Sequence, residues 1–108
     1  MMSYFLLSYA VIPQTEYSGV IDKANKVRRA IADINVWNKS EKNETTFMGI
    51  LTIEGDNDSA LRHSSIKNIE EVFKPILRQY NASSYDVVIY CSIMVEGIAK
   101  YFEFDVSN

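Results

Sequence analysis

A nearly unbroken apolar run opens this chain: Tyr4-Phe5-Leu6-Leu7-Ser8-Tyr9-Ala10-Val11-Ile12. The run has the length of a β-strand and is too short to cross a bilayer or to form a signal peptide with its charged leader. Its aromatic and branched residues favour a strand, and Pro13 suits the strand's end. Because the run is continuous rather than strictly alternating, it predicts a strand covered on both faces, the second by the chain itself or by a dimer partner.

The composition limits both the architecture and the partners. The 108 residues are 47% hydrophobic and 23% charged, which predicts one globular domain over residues 1–108. The formal net charge of −3 opposes nonspecific binding to DNA or RNA, so we expect no nucleic-acid partner. Seven tyrosines favour a protein partner, because tyrosine is common at interfaces. With no transmembrane segment or signal peptide in the sequence, we expect a cytoplasmic protein without a membrane partner.

Residues that could carry chemistry are few and scattered. Cys91 is the only cysteine and lies in an apolar run, which favours a buried thiol over a nucleophile. His63 is the only histidine, and no acidic residue stands at ligand spacing from it. Asp56 and Asp58 resemble the start of a calcium loop, but the required glycine and glutamate are not at their positions. We therefore expect no catalytic residue, no metal and no cofactor.

The order of hydrophobic patterns predicts two helices among four long strands. The apolar stripe of the first helix extends from Val20 to Ile34, and Pro75 should kink or divide the second. A further short strand is expected near Trp37. The predicted elements are a strand over 4–12, a helix over 18–34, a strand over 45–54, a helix from 59–65 to 80, and strands over 85–94 and 98–106. This β-α-β-α-β-β order is typical of a ferredoxin-like α+β sandwich, an antiparallel sheet with two helices on one face.

Aromatic and acidic residues near loops and on the last strand form the candidate partner interface. They are Tyr17, Trp37, Tyr85, Tyr101, Glu103 and Asp105. The last three alternate with apolar residues along the final strand and should face solvent. Trp37 lies in a polar stretch, where a tryptophan either folds back into the core or anchors an interface. The basic residues of the first helix, Lys23, Lys26, Arg28 and Arg29, fit a solvated helix face better than a phosphate site.

Four short segments carry a family resemblance. They are Ser3–Tyr9, Ala30–Ile34 followed by Trp37, Glu44–Phe47, and the pair Lys74-Pro75. Together they resemble a group of small ferredoxin-like proteins that includes the CRISPR-associated Cas2 endonucleases, the VapD toxins and the SinR-like proteins. Active members of this group carry an aspartate at the end of the first strand, which holds a metal ion at the dimer axis. The resemblance therefore implies that a metal-binding member would have an aspartate at this position. Ala10 stands at that position, and an alanine cannot bind magnesium.

These observations together favour binding over catalysis. The leading hypothesis is a small non-enzymatic protein-binding module that forms a homodimer. Its acidity would suit an immunity protein, an antitoxin or a phage-encoded inhibitor that covers a basic nuclease or nucleic-acid-binding protein. The alternatives are a metal-dependent endonuclease of the Cas2 or VapD type and a small-ligand sensor that uses the sheet face opposite the helices.

Overall fold

The chain folds into a five-stranded antiparallel sheet and two helices. The structure is a computed structural model that describes residues 1–108. Its elements, in chain order, are β1 (Met2–Pro13), α1 (Ser18–Ala32), β2 (Asn38–Lys39), β3 (Thr46–Thr52), α2 (Asp58–Gln79), β4 (Val87–Val95) and β5 (Phe102–Val106). The predicted α+β class, two helices and four long strands are confirmed, as is the short strand near Trp37, which is β2.

The first strand lies at the centre of the sheet. The strand order is β2-β3-β1-β4-β5, and every neighbouring pair is antiparallel. Both helices pack on the same side, where their apolar stripes join the inward side chains of the strands in a single cluster of 21 buried residues. The result is a two-layer arrangement with helices on one face and no layer on the other.

The burial of β1 alternates from Met2 to Val11, which excludes one of the two predicted ways of covering its second face and leaves coverage by a dimer partner as a prediction. Phe5, Leu7 and Val11 lie in the core, whereas Tyr4 and Leu6 point away from the helices and are exposed. The chain itself therefore does not cover both faces of this strand. Successive side chains of a strand point to opposite faces, so an apolar run of this kind leaves one apolar row uncovered when only one helix layer exists.

Both helices differ in extent from their sequence predictions. The helix α1 ends at Ala32, where the Asp33 N–H donates to the carbonyl of Ala30 at 3.2 Å and the Ile34 N–H donates to the carbonyl of Ile31 at 3.1 Å. The helix α2 begins at Asp58, and the side chain of Asn57 caps it by accepting from the Ala60 N–H at 2.9 Å. It continues through Pro75 as one helix, so the prediction of a division there was wrong.

The final strand is shorter than its pattern suggested. Residues 98–101 do not join the sheet, because the chain turns at Gly97 and then buries Ile98 in the core. Gly97 has a φ of 91°, a conformation that favours glycine in this turn. The alternation in β5 is as predicted: Val106 is buried and Phe102 and Phe104 are half-buried, while Glu103 and Asp105 are exposed.

Candidate protein-binding surface

The sheet face opposite the helices, which we call the open face, carries an uncovered apolar patch. Its members are the outward side chains Tyr4, Leu6, Met48, Ile50, Met94 and Tyr101, all at least 39% exposed. They surround an open groove of about 630 Å³ that also reaches the β4–β5 connection. Single exposed apolar residues are ordinary, but a contiguous group of this kind is typical of an interaction surface.

The register of the strands explains how the apolar patch forms. Leu6 lies directly opposite Met48 on β3 and directly opposite Met94 on β4, so these three side chains form one row across the sheet. Tyr4 pairs with Ile50 in the neighbouring row. Cross-strand partners of this kind have Cβ atoms about 5 Å apart, which makes the rows continuous.

All four methionines of the chain lie around this patch or at its end, and all are exposed. Met48 and Met94 belong to the apolar patch, and Met2 precedes it on β1. The Met1 side chain lies against Gly97 in the turn after β4. Methionine side chains are flexible and polarizable, so they adapt to the shape of a partner surface.

The other end of the open face is polar and acidic. Ser92 donates its hydroxyl to Glu103 at 2.8 Å, and Asp105 lies directly opposite Tyr90. The three ion pairs of the protein involve other residues, so neither carboxylate has a basic partner within salt-bridge distance. The open face therefore combines an apolar end with an acidic end.

The structure divides the six predicted interface residues among three places. Tyr101, Glu103 and Asp105 lie together, at the beginning of β5 and along its outward face. Tyr17 and Tyr85 are strongly exposed, but they lie near the opposite end of β4, where β1 ends and β4 begins. The sixth residue, Trp37, lies apart from both groups.

Trp37 belongs to an aromatic cluster under the sheet. Its ring is half-buried and packs edge-on against Phe5, Phe47 and Phe73 with centroid distances of 5.4 to 5.7 Å. These contacts hold the β2 end of the sheet against α2, since aromatic pairs contribute beyond their buried area. Of the two interpretations of Trp37, the structure favours the core.

Sequence patterns predicted an apolar second face on β1 but did not identify the extent of the apolar patch. The signal was present in β1, where the row Tyr4, Leu6 is as apolar as the row Phe5, Leu7. A sequence alone does not say which row the helices cover, because that depends on how the two helices are placed. The residues from β3 and β4 join the patch only through the strand register.

The remaining candidates for chemistry lie apart from one another. His63 is exposed on α2, and Asp56 and Asp58 lie at that helix's start. Burial, followed by the negative charge of Asp105, raises the pKa of the Cys91 thiol to about 12. No three His, Cys, Asp or Glu side chains are grouped so that they could hold a metal ion. At the position where the resemblance implies a metal-binding aspartate, Ala10 lies on the open face beside Tyr90.

The basic residues of α1 are mostly occupied within the chain. Lys23 donates to Asp86 at 3.1 Å and to the carbonyl of Asn81 at 2.9 Å. The hydrogen bond from the Lys23 ammonium to Asp86, together with one from the Ser83 backbone N–H, lowers the pKa of the Asp86 carboxyl. Lys26 pairs with Asp22, and Arg28 donates to the carbonyl of Val11 at 2.8 Å. These contacts fit the interpretation of a solvated helix face that also ties α1 to the sheet.

Neither helix has the length and apolar character that a bilayer crossing would require. No protein-family model matches the chain, and neither the curated proteins nor the solved structures that were searched contain a match. The resemblance to the Cas2 and VapD group therefore stays a prediction. The open face is what the structure itself offers as a functional surface.

Proposed function

We propose that this protein is a non-enzymatic protein-binding module that acts through its open face. The observation that carries the proposal is the apolar patch, six exposed side chains that no element of the chain covers. Burying apolar surface is favourable by about 25 cal/mol per Å², so a protein partner that fits the patch gains free energy from each side chain it covers.

The proposal includes a homodimer in which a second copy covers the apolar patch. Leu6 has a methionine on each side in its row, Met48 on β3 and Met94 on β4. A twofold axis parallel to β1 would therefore place Leu6 against Leu6 of the second copy and Met48 against Met94. A self-complementary row of this kind suits an isologous interface.

The size of the open face is adequate for such a dimer. The four strands β2, β3, β1 and β4, each about 4.8 Å wide and on average about 25 Å long, give a projected face of roughly 500 Å² without β5. Two such faces together come to roughly 1,000 Å², the size that a specific interface should reach. Two sheets can pack face to face about 10 Å apart with their side chains interdigitating.

The partner's chemistry follows from charge. The net charge of −3 and the unpaired Glu103 and Asp105 favour a basic protein. A net negative charge with unpaired surface carboxylates would suit an immunity protein, an antitoxin or an inhibitor of a basic nuclease or nucleic-acid-binding protein.

The proposal retains the ferredoxin-like arrangement as its finer fold assignment, supported by two helices on one face of an antiparallel sheet. The proposal also includes a cytoplasmic location.

Sedimentation of matched variants tests the proposal. Met48 and Ile21 are both 39% exposed, but Met48 lies on the open face and Ile21 lies on α1. Wild-type protein and the Ile21→Glu control should sediment as dimers at micromolar concentration, and Met48→Glu should sediment as a monomer, because it would bury a carboxylate in the interface. Thermal melts confirm that each variant is folded. A Met48→Glu protein that associates as the wild type does would contradict the use of this face.

A further inference from the structure

The strand β5 forms an edge of the sheet with open backbone positions. The Gln14 N–H donates to the carbonyl of Asp86, and the Glu96 N–H donates to the carbonyl of Tyr4. Along an antiparallel strand, the backbone groups of successive residues point to opposite neighbours. Asp86 and Glu96 bond to β1, so the even-numbered residues of β4 bond to β1 and its odd-numbered residues, including Cys91, bond to β5.

This alternation fixes which groups of β5 are free. The residues opposite the odd positions of β4 are Phe102, Phe104 and Val106, and their N–H and C=O groups point to β4. The N–H and C=O groups of Glu103 and Asp105 therefore point outward, beyond the last strand. An edge of this kind is a template for another strand.

The side chains of β5 define the kind of strand that would fit. On the helix side, Phe102 and Phe104 are only half-buried, with ring centroids 6.1 Å apart, and the guanidinium of Arg62 lies 5.6 Å from the Phe102 centroid. On the open face, Glu103 and Asp105 lack basic partners. One face of the edge thus offers apolar rings, and the other offers two carboxylates.

A second copy of the chain does not suit this edge. Pairing β5 with β5 of another copy in the antiparallel register that overlaps the two strands fully would place Glu103 opposite Asp105 on the same face at two places. Like charges directly opposite each other destabilise a strand pair. The homodimer of the proposed function therefore uses the apolar patch on β1, β3 and β4 and leaves the β5 edge, with Glu103 and Asp105, available.

We infer that the β5 edge binds an extended segment of a basic partner by strand addition, with lysine or arginine alternating with apolar residues. The segment's basic side chains pair with Glu103 and Asp105, and its apolar side chains cover Phe102 and Phe104. Its backbone bonds to the free groups of Glu103 and Asp105, as in other complexes in which a peptide extends a sheet. This inference rests on the proposed function, whose basic partner it describes in more detail.

A synthetic peptide provides the probe. A peptide with lysine and valine at alternate positions should bind the wild-type protein, with affinity that falls as salt rises. A peptide of the same composition with its lysines grouped at one end should bind at least several-fold more weakly, because it cannot place charge and apolar groups on separate faces. Fluorescence anisotropy gives both affinities. Equal affinity for the two peptides, or no binding of the alternating one, would overturn the inference.

Two substitutions at one position separate charge from backbone bonding. Asp105→Asn removes the carboxylate and keeps the N–H, whereas Asp105→Pro removes both, and proline is tolerated where an edge N–H faces solvent. Asp105→Asn should weaken the probe about threefold to tenfold, and Asp105→Pro by a further factor of about three or more. The double change Asp33→Asn and Glu71→Gln, at exposed acids away from the sheet, serves as the charge control and should leave the affinity near wild type.

Amide hydrogen exchange reports the binding site directly. The probe should slow exchange of the Glu103 and Asp105 amides in the wild-type protein and should change the other amides of β5 far less. Unchanged exchange at both amides would overturn strand addition. Probe binding that Met48→Glu abolishes and Asp105→Pro leaves intact would overturn this inference while supporting the proposed function. A wild-type protein that is monomeric but still binds the probe at the β5 edge would overturn the homodimer of the proposed function while supporting this inference.

Discussion

Leu6 and Leu7 are neighbours of the same residue type in the same strand, yet they lie in different environments. Leu7 is fully buried beneath the helices, whereas Leu6 is 43% exposed on the open face. The same contrast extends along β1 from Met2 to Val11, where exposed and buried residues alternate. The comparison shows that apolar character in this strand serves two purposes, one in folding the chain and one on a surface that the chain leaves uncovered.

The two rows also differ in their neighbours. The helix-side row joins the single buried cluster of the fold, which includes residues from both helices. The open-face row lies opposite Met48 and Ile50 on β3 and Met94 on β4 and borders the groove that reaches the β4–β5 connection. The free energy of unfolding should therefore depend on the helix-side row, and association with a second copy should depend on the open-face row.

The reactivity of Cys91 tests how well the helix side is sealed. The thiol is 3% exposed, and its pKa is raised from 9.0 to about 12. At pH 8 this shift lowers the thiolate fraction by about a thousandfold, and the thiolate is the reactive form. A disulfide reagent should accordingly modify the native protein at least about a hundredfold more slowly than the protein in guanidinium. Similar rates in both conditions would mean that this layer opens easily.

The adjacent leucines provide the most direct energetic comparison. Leu7→Ala leaves a cavity in the core and should lower the free energy of unfolding by about 3 kcal/mol. Leu6→Ala, measured at a dilution where the protein is monomeric, should change it by no more than about 1 kcal/mol. Guanidinium titration followed by circular dichroism gives both values. Equal losses for the two variants would show that the open face contributes to the stability of the monomer.

Local patterns in the sequence were sufficient for most of the fold. The 3.6-residue spacing of Ala24, Val27 and Ile31 located α1, and the alternation of Phe102, Phe104 and Val106 located β5. The ends were less accurate, because they depend on local contacts such as the Asn57 cap. Pro75 does not divide α2, although proline removes one backbone donor, and the alternative of a kink stays a prediction.

The candidate surface was predictable only in part. Alternation in β5 placed Glu103 and Asp105 on a solvent face, and the structure agrees. The partners of Leu6 in the apolar patch come from strands some 40 and 90 residues further along the chain. Their proximity results from long-range pairing and register, which no local pattern determines.

Methionine oxidation as a function of protein concentration tests most directly whether the open face is covered in solution. Met48 and Met94 report on the apolar patch, and Ile21→Met places a reporter on the helix side at a position as exposed as Met48. Peroxide should oxidise all three at comparable rates in dilute protein. In concentrated protein, Met48 and Met94 should react several-fold more slowly while the introduced methionine reacts as before. Rates at Met48 and Met94 that do not change with concentration would contradict the proposal that a second copy covers this face.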